Sequence, residues 1–215
     1  MSPKKKSLIE IDDLTRPDHP NITPDDRCFF LHDYTSGQGY SYSATNNLIL
    51  NFKKEPDKKG TSQWKYKLRA IREIASMFRE AIPHESLMES TLVPVPPSKE
   101  KGDPRYDSRM SDVLAELKGP YDFDVRELLV QCESTLGSHE SRYRPSIEEL
   151  IDNYVIDDRV AQAPPRKRIL LFDDVLTAGN HFKAAQEVIR EEYPDIPIFG
   201  IFIARRVFLE EDSQF

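Results

Sequence analysis

The chain contains little cysteine, no long apolar run and no excess of positive charge, and each of these shortages argues against a class of protein. Its two cysteines, Cys28 and Cys132, stand far apart and outside any Cys-x-x-Cys pair. This spacing disfavours a zinc ribbon or a disulfide framework and is typical of a reducing compartment. No apolar run approaches the length that crosses a membrane, and a formal net charge of -7 does not indicate nucleic acid as a partner.

Residues 1–26 differ from the rest of the chain, because they are rich in lysine, aspartate and proline. This composition predicts a flexible, irregular N-terminal arm. The lysines at 4–6 are not followed by an apolar stretch of signal-peptide length, so we expect a cytoplasmic protein. Hydrophobic residues make up 38% of the chain and are clustered, so residues 27–215 are expected to form one domain with a core.

The C-terminal part has the clearest secondary-structure pattern. A continuous apolar run at 168–172 predicts a strand buried on both faces, 180–192 predicts an amphipathic helix, and 196–204 predicts a second buried strand. Strand, helix and strand with short connections predict a βαβ unit in a parallel sheet, and therefore an α/β fold. Similar patterns predict strands at 28–31, 91–96 and 128–130, helices at 63–81, 111–117 and 147–153, and a short apolar run of undecided structure at 48–50.

Two adjacent carboxylates, Asp173 and Asp174, directly follow the strand at 168–172. Ligands of open parallel sheets collect at the carboxyl ends of the strands, and the N–H groups of the next loop and helix start can hold a phosphate. Gly179 lets the backbone come close to it, and Thr177 adds a hydroxyl. Because two carboxylates suit vicinal hydroxyls, the motif indicates a sugar with a phosphate at one end. A pyrophosphate on that sugar would bring Mg²⁺, held mainly by substrate oxygens.

Other interpretations of these residues are open. The acidic pair could simply cap the strand and the following turn. A receiver domain also has an acidic pair after an apolar strand, but that strand is its first, and only about forty residues follow Asp174 here. Aromatic residues could stack on a base, yet packing explains them equally simply. The residues that we interpret as surface or packing groups are His84, His139, Trp64, Tyr34, Tyr40 and Tyr42.

The segment from 169 to 181 resembles the 5-phosphoribosyl-pyrophosphate (PRPP) motif of type I phosphoribosyltransferases: apolar strand, two acidic residues, then Thr-x-Gly and a small or polar residue. The resemblance implies that Asp173 and Asp174 grip the ribose hydroxyls. The family's loop often has a second threonine where this chain has Ala178, and threonine or serine in place of His181. The residues that the resemblance places around the 5′-phosphate are Thr177, Ala178, Gly179, Asn180 and His181.

A second region resembles the competence-protein-F-like branch of that family, in which a Pro-Val-Pro strand end precedes a basic loop. Here the strand at 91–96 ends in such a turn, and arginines of the loop can bind phosphate oxygens bidentately. A proline-rich surface turn with solvated cations is the alternative. The residues that the resemblance places near pyrophosphate are Pro96, Pro97, Ser98, Lys99, Lys101, Arg105 and Arg109. Further candidates are Arg142, Arg144 and Arg205.

The resemblance implies a parallel-sheet phosphoribosyltransferase fold with helices on both faces and a small hood within residues 27–60. It implies Mg²⁺-dependent transfer of phosphoribosyl from PRPP to a small nitrogenous acceptor, with release of pyrophosphate. The alternative is a non-catalytic module that senses PRPP or a nucleotide, or that binds a partner related to DNA uptake or processing. A homodimer or a protein partner is left open. The zinc-ribbon cysteines of that branch are missing from this sequence.

Overall fold

The computed structural model describes residues 7–134 and 145–209. The strands are β1 (Ile9–Glu10), β2 (Arg27–Thr35), β3 (Ser90–Pro94), β4 (Asp124–Val125), β5 (Leu129–Gln131), β6 (Tyr154–Ile156), β7 (Arg168–Leu176) and β8 (Ile198–Val207). The helices are α1 (Ala44–Phe52), α2 (Trp64–Ala81), α3 (His84–Met88), α4 (Arg109–Lys118), α5 (Ile147–Asn153) and α6 (Asn180–Glu192).

Six strands form one sheet in the order β1-β2-β8-β7-β3-β4. Neighbouring strands in it are parallel, except that the two-residue β1 is antiparallel to β2. Strands β5 and β6 form a separate antiparallel pair. The mostly parallel sheet and its helices confirm the predicted α/β class. They also confirm the predicted strand–helix–strand unit, because β7 and β8 are parallel neighbours and α6 connects them.

The helices cover both faces of the sheet, and β7 shows how its side chains divide between them. Leu170 and Phe172 belong to a core shared with α1, α2 and α4, whereas Ile169 and Leu171 belong to a core shared with α5 and α6. Successive strand residues point to opposite faces, so a strand covered on both faces is apolar at every position. This arrangement explains the continuous apolar run, and it decides which face each of the following acidic residues meets.

The N-terminal residues depart from the expected flexible arm. From residue 7 onward they lie against the sheet, where β1 extends it beside β2 and the side chains of Ile11, His19 and Ile22 are buried. Strand β2 lies inside the main sheet, so residues 27–35 belong to the core and not to a hood. The physical reason is long-range pairing, since β2 runs parallel to the C-terminal strand β8 along nearly its whole length.

The apolar run at 48–50 lies in helix α1. Ser43 caps this helix, because its side-chain oxygen accepts a hydrogen bond from the N–H of Asn46 at 3.0 Å. Ile49 and Phe52 are fully buried against α2 and the sheet. The run is therefore one apolar face of a short helix, and α1 ends beside the carboxyl edge of the sheet.

Helix α2 agrees closely with the helix predicted at 63–81. Its side chains Ile71, Ile74 and Phe78 are buried on one face, as the three- and four-residue spacing predicts. Lys67 is buried on this face as well, which the pattern did not predict. Within residues 7–134 and 145–209, no helix has both the length and the apolar content to cross a membrane.

Candidate functional site

The acidic pair lies at the carboxyl edge of the sheet, on a strand that extends beyond its neighbour. Strand β3 ends at Pro94, which is level with Phe172 of β7. Strand β7 continues beyond that point and carries Asp173 and Asp174 into the space above the end of β3. The predicted acidic pair is thus at the edge where ligands of parallel sheets bind.

Asp174 lies on the face of the sheet that α1 and α4 cover, and two cations contact it there. Lys53, the residue that follows α1, places Nζ 2.9 Å from Oδ1, and Arg109, the first residue of α4, places Nη2 3.0 Å from Oδ2. Burial alone would raise the pKa of Asp174, but the charges of Lys53 and Arg109 lower it below the ordinary value of 3.8. Asp174 is therefore an ionised carboxylate held between two cations.

Arg109 connects this ion pair to a deeper ionic cluster. Its Nη1 donates to Oδ2 of Asp107 at 3.2 Å, and Nζ of Lys67 lies 2.7 and 2.6 Å from the two carboxylate oxygens of Asp107. Nζ of Lys67 also donates to the backbone carbonyl of Lys54 at 2.7 Å. Burial lowers the pKa of Lys67, while Asp107 acts in the opposite direction. The cluster ties the start of α4 to the end of α1 and so positions both cations that contact Asp174.

Asp173 points to the opposite face, where α5 and α6 lie. Its Oδ1 accepts a hydrogen bond from the N–H of Asp174 at 2.7 Å. Burial, and next the charge of Asp174, raises the pKa of Asp173 above its ordinary value of 3.8. On this face Tyr154 is buried, and burial and the charge of Asp173 raise the pKa of its phenol. The Tyr154 hydroxyl lies 2.8 Å from Nδ1 of His181, so the two acids have different surroundings.

The loop after β7 is held by residues from the N-terminal segment. The Nδ1–H of His19 donates to the carbonyl of Thr177 at 2.5 Å, and the N–H of Asn21 donates to the carbonyl of Ala178 at 3.0 Å. His19 is fully buried, and this burial lowers its pKa. The backbone of the predicted phosphate loop is therefore fixed by a segment that lies 158 residues earlier in the chain.

Gly179 precedes α6 and has a left-handed backbone with φ of 98°. A Cβ at this position would lie 2.8 Å from Cδ1 of Ile22, so the position demands glycine for two reasons. Asn180, the first residue of α6, is held by Asn21, whose Nδ2 donates to its Oδ1 at 2.6 Å. The first N–H groups of a helix lack intrahelical partners and carry a partial positive charge. The loop therefore passes through a left-handed glycine directly into the start of α6.

Of the basic residues predicted after β3, the structure brings Arg109 to the acidic pair. Lys101 instead forms an ion pair with Glu127. Arg105 lies 3.4 Å from Asp103 through Nε, and its side chain is largely exposed. These two cations are held by acids outside the pair, because the loop folds back on itself before α4 begins.

The proline turn that precedes these cations lies against β5. Pro96, Pro97 and Lys99 line a cavity of about 20 Å³ together with Gln131, and Nε2 of Gln131 donates to the carbonyl of Ser98 at 3.0 Å. A space of this volume holds about one water molecule. In this conformation the turn lies against β5 and is held there by this hydrogen bond.

Of the three further arginine candidates, the structure describes Arg205. Arg205, near the end of β8, places Nη1 3.0 Å from Oδ2 of Asp18 and Nε 2.8 Å from Oδ1 of Asp33. It therefore ties β8 to β2 and to the N-terminal segment. Arg142 and Arg144 lie outside the residues that the structure describes.

Four residues that the sequence did not indicate take part in this region, namely Lys53, Lys67, His19 and Tyr154. The cap at Ser43 is a sequence signal that could have predicted α1 and placed Lys53 at its end. The sequence contains no comparable signal for the other three, because each contact joins distant parts of the chain.

Comparison with known proteins does not identify the chain. No protein-family model matches it, and no curated protein is significantly similar to it in sequence. The function of this site is therefore inferred from its own residues and their geometry.

Proposed function

We propose that the chain is a phosphoribosyltransferase-like protein that binds PRPP with Mg²⁺ at the end of β7. The observation that carries this proposal is the order of groups at one strand end: Asp173 and Asp174, then a loop with Gly179 in a left-handed conformation, then the start of α6. An acidic pair suits ribose hydroxyls, and a helix start suits a phosphate. The fold, a mostly parallel sheet with helices on both faces, is compatible with the type I phosphoribosyltransferase kind.

The two acids meet a ribose from opposite faces of the sheet. Asp174 is ionised and accepts hydrogen bonds, while Asp173, with its raised pKa, lies beside the Tyr154 hydroxyl. The loop at 177–180 would wrap the 5′-phosphate with backbone N–H groups. Lys53 and Arg109 supply positive charge at the same strand end, where the pyrophosphate of the substrate would otherwise face two carboxylates.

Mg²⁺ is part of this proposal as a companion of the substrate. Asp173 and Asp174 are the carboxylates at this strand end. Mg²⁺ usually keeps several waters and is held through substrate phosphates with one or two carboxylates. The ion would neutralise the leaving pyrophosphate, and the protein side chains would orient the ribose beneath it.

The proposed reaction moves phosphoribosyl to a small nitrogenous acceptor. The bond from C1′ to the pyrophosphate oxygen breaks and pyrophosphate leaves, a bond from C1′ to the acceptor nitrogen forms, and the proton that this nitrogen loses passes to water or to the released pyrophosphate. Positive charge develops on the sugar, so the protein contributes chiefly by positioning and by electrostatic stabilisation. In this proposal Asp173 and Asp174 hold the ribose.

A second candidate is a non-catalytic module that senses PRPP or a nucleotide. One observation favours it: the loop is packed under Ile22 and tied to His19 and Asn21, so the N-terminal segment responds to anything that moves the loop. Turnover separates the two candidates. Pyrophosphate release from PRPP with a panel of nitrogenous bases supports the enzyme, and binding without release supports the module.

The first experiment is calorimetric titration of PRPP and Mg²⁺ into the wild type and into Asp173→Asn/Asp174→Asn. The control is Asp12→Asn/Asp13→Asn, which makes the same change at an adjacent pair of aspartates that is exposed and lies on another part of the chain. We expect binding in the wild type and control and loss of binding in the first variant. Equal affinity in all three proteins, or no binding by the wild type, would contradict the proposal.

A further inference from the structure

We propose, on the basis of the function above, that Lys53 is a pyrophosphate-binding residue and that Lys53 and Arg109 pass from Asp174 to the substrate when PRPP binds. We call Lys53 and Arg109 the cation pair. Together they contact both oxygens of Asp174, at 2.9 Å from Oδ1 and 3.0 Å from Oδ2, and Oδ1 also accepts a hydrogen bond from the N–H of Val175 at 2.6 Å. Ribose hydroxyls would therefore compete with the cation pair for this carboxylate.

Exposure separates the cation pair from the structural lysine nearby. The side chains of Lys53 and Arg109 are 21% and 22% exposed, whereas that of Lys67 is 1% exposed. A ligand at the strand end can therefore reach the cation pair and cannot reach Lys67. Lys67 and Asp107 then serve as the fixed base of the cluster.

Arg109 is anchored on one side, which suits it for this exchange. Its Nη1 and its backbone N–H both bond to Asp107, at 3.2 Å each, and its guanidinium lies 5.8 Å from the ring centroid of Phe52. Its Nη2 faces Asp174. The guanidinium can thus exchange the partner of Nη2 while Asp107 keeps Nη1 in place. Lys53 has a flexible stem, so its Nζ can follow the phosphate.

The exchange is favourable because of charge. Asp174 offers one negative charge to two cations, while a diphosphate offers at least two charges and several strong acceptor oxygens. Once the cation pair moves, Asp174 keeps the hydrogen bond from the N–H of Val175 to Oδ1 and can accept further hydrogen bonds from hydroxyls. The pyrophosphate and ribose halves of the ligand should therefore help each other to bind, and linkage requires this help to be reciprocal.

The test uses the two halves of the ligand as separate probes, inorganic pyrophosphate with Mg²⁺ and ribose 5-phosphate, titrated into wild type, Lys53→Gln and Lys54→Gln. Lys54 is a matched control, because its Nζ contacts Asn51 and the Tyr40 hydroxyl instead of Asp174. We expect Lys53→Gln to weaken pyrophosphate binding about 10- to 100-fold, the range for losing one charged hydrogen bond. Ribose 5-phosphate should bind Lys53→Gln at least as tightly as wild type, since Asp174 has lost a competitor.

Two further measurements complete the test. Lys53→Arg, which keeps the charge, should retain pyrophosphate binding within a few-fold of the wild type. In the wild type, saturating pyrophosphate should tighten the binding of ribose 5-phosphate. Urea unfolding of each variant shows that it is folded before it is titrated.

Each result leads to a clear decision. Pyrophosphate binding that is equal in Lys53→Gln and wild type, or weakened equally in Lys53→Gln and Lys54→Gln, would overturn the role of Lys53. A wild type that binds ribose 5-phosphate but not pyrophosphate would overturn this inference and leave the proposed site intact. A wild type that binds neither probe nor PRPP would remove both.

Discussion

Replacing Gly179 by alanine should destabilise the protein by about 2–5 kcal/mol, and the structure separates this loss into two parts. The backbone at Gly179 has φ of 98°, and a left-handed backbone costs a residue with a Cβ about 1–2 kcal/mol. The new Cβ would also lie 2.8 and 3.0 Å from Cδ1 and Cγ1 of the buried Ile22. Relieving such overpacking typically costs about 1–3 kcal/mol.

Two other glycines provide matched controls for these two parts. Gly37 has φ of 78° and open space around its Cβ position, so Gly37→Ala should show the backbone cost alone, about 1–2 kcal/mol. Gly39 has neither a positive φ nor a neighbour within 4 Å. Gly39→Ala should therefore be neutral or stabilise the fold by up to about 1 kcal/mol. The free energy of unfolding in urea, measured for all three variants, tests the order.

A fourth variant tests the packing part directly. Ile22→Val removes Cδ1, the atom nearest to the new Cβ, so it should recover part of the loss when it is combined with Gly179→Ala. The reasoning is refuted if Gly179→Ala is as stable as Gly39→Ala. Failure of Ile22→Val to recover any stability would assign the whole loss to the backbone. Gly179→Ala should also weaken PRPP binding, because it distorts the loop that is the proposed phosphate site.

Two further predictions concern titratable groups. The pKa of Asp173 in the folded chain is raised above 3.8, so above pH 3.8 the folded chain holds a proton that the unfolded chain has lost. The free energy of unfolding should therefore fall as the pH rises toward the raised pKa. Urea unfolding between pH 4 and 8 should show this fall in the wild type and not in Asp173→Asn, and parallel curves for the two proteins would contradict it. Cys28 is buried and its thiol pKa is raised by burial, while Cys132 is exposed, so a thiol reagent should modify only Cys132 before unfolding. Rapid modification of native Cys132→Ser would show that this reasoning is wrong.

The sequence predicted best those elements whose pattern is local. Strand β7, helix α6 and strand β8 were predicted because a strand covered on both faces is apolar throughout and an amphipathic helix repeats every three or four residues. The acidic pair was found because it directly follows such a strand. The sequence does not indicate helix α1, since three consecutive apolar residues at 48–50 show no period.

What the sequence did not reveal depends on contacts between distant segments. A composition rich in proline and charge predicted a flexible arm, yet His19, Asn21 and Ile22 are ordered by the loop at 177–180, which no local pattern could show. The same holds for the cation at Lys53, because its partner Asp174 lies on another element. The place of Arg109 in the basic loop predicts a phosphate ligand, but it does not predict the contact of Arg109 with Asp174.

The position of β2 in the sheet has a consequence for folding during biosynthesis. Apart from the two residues of β1, its partner in the described sheet is β8, which is made about 170 residues later. At typical rates of translation, β2 waits roughly 10–35 s on the ribosome for that partner. During this time its apolar side chains and one open edge are available to other chains or to a chaperone. The sheet can therefore close around β2 only after β8 has been made.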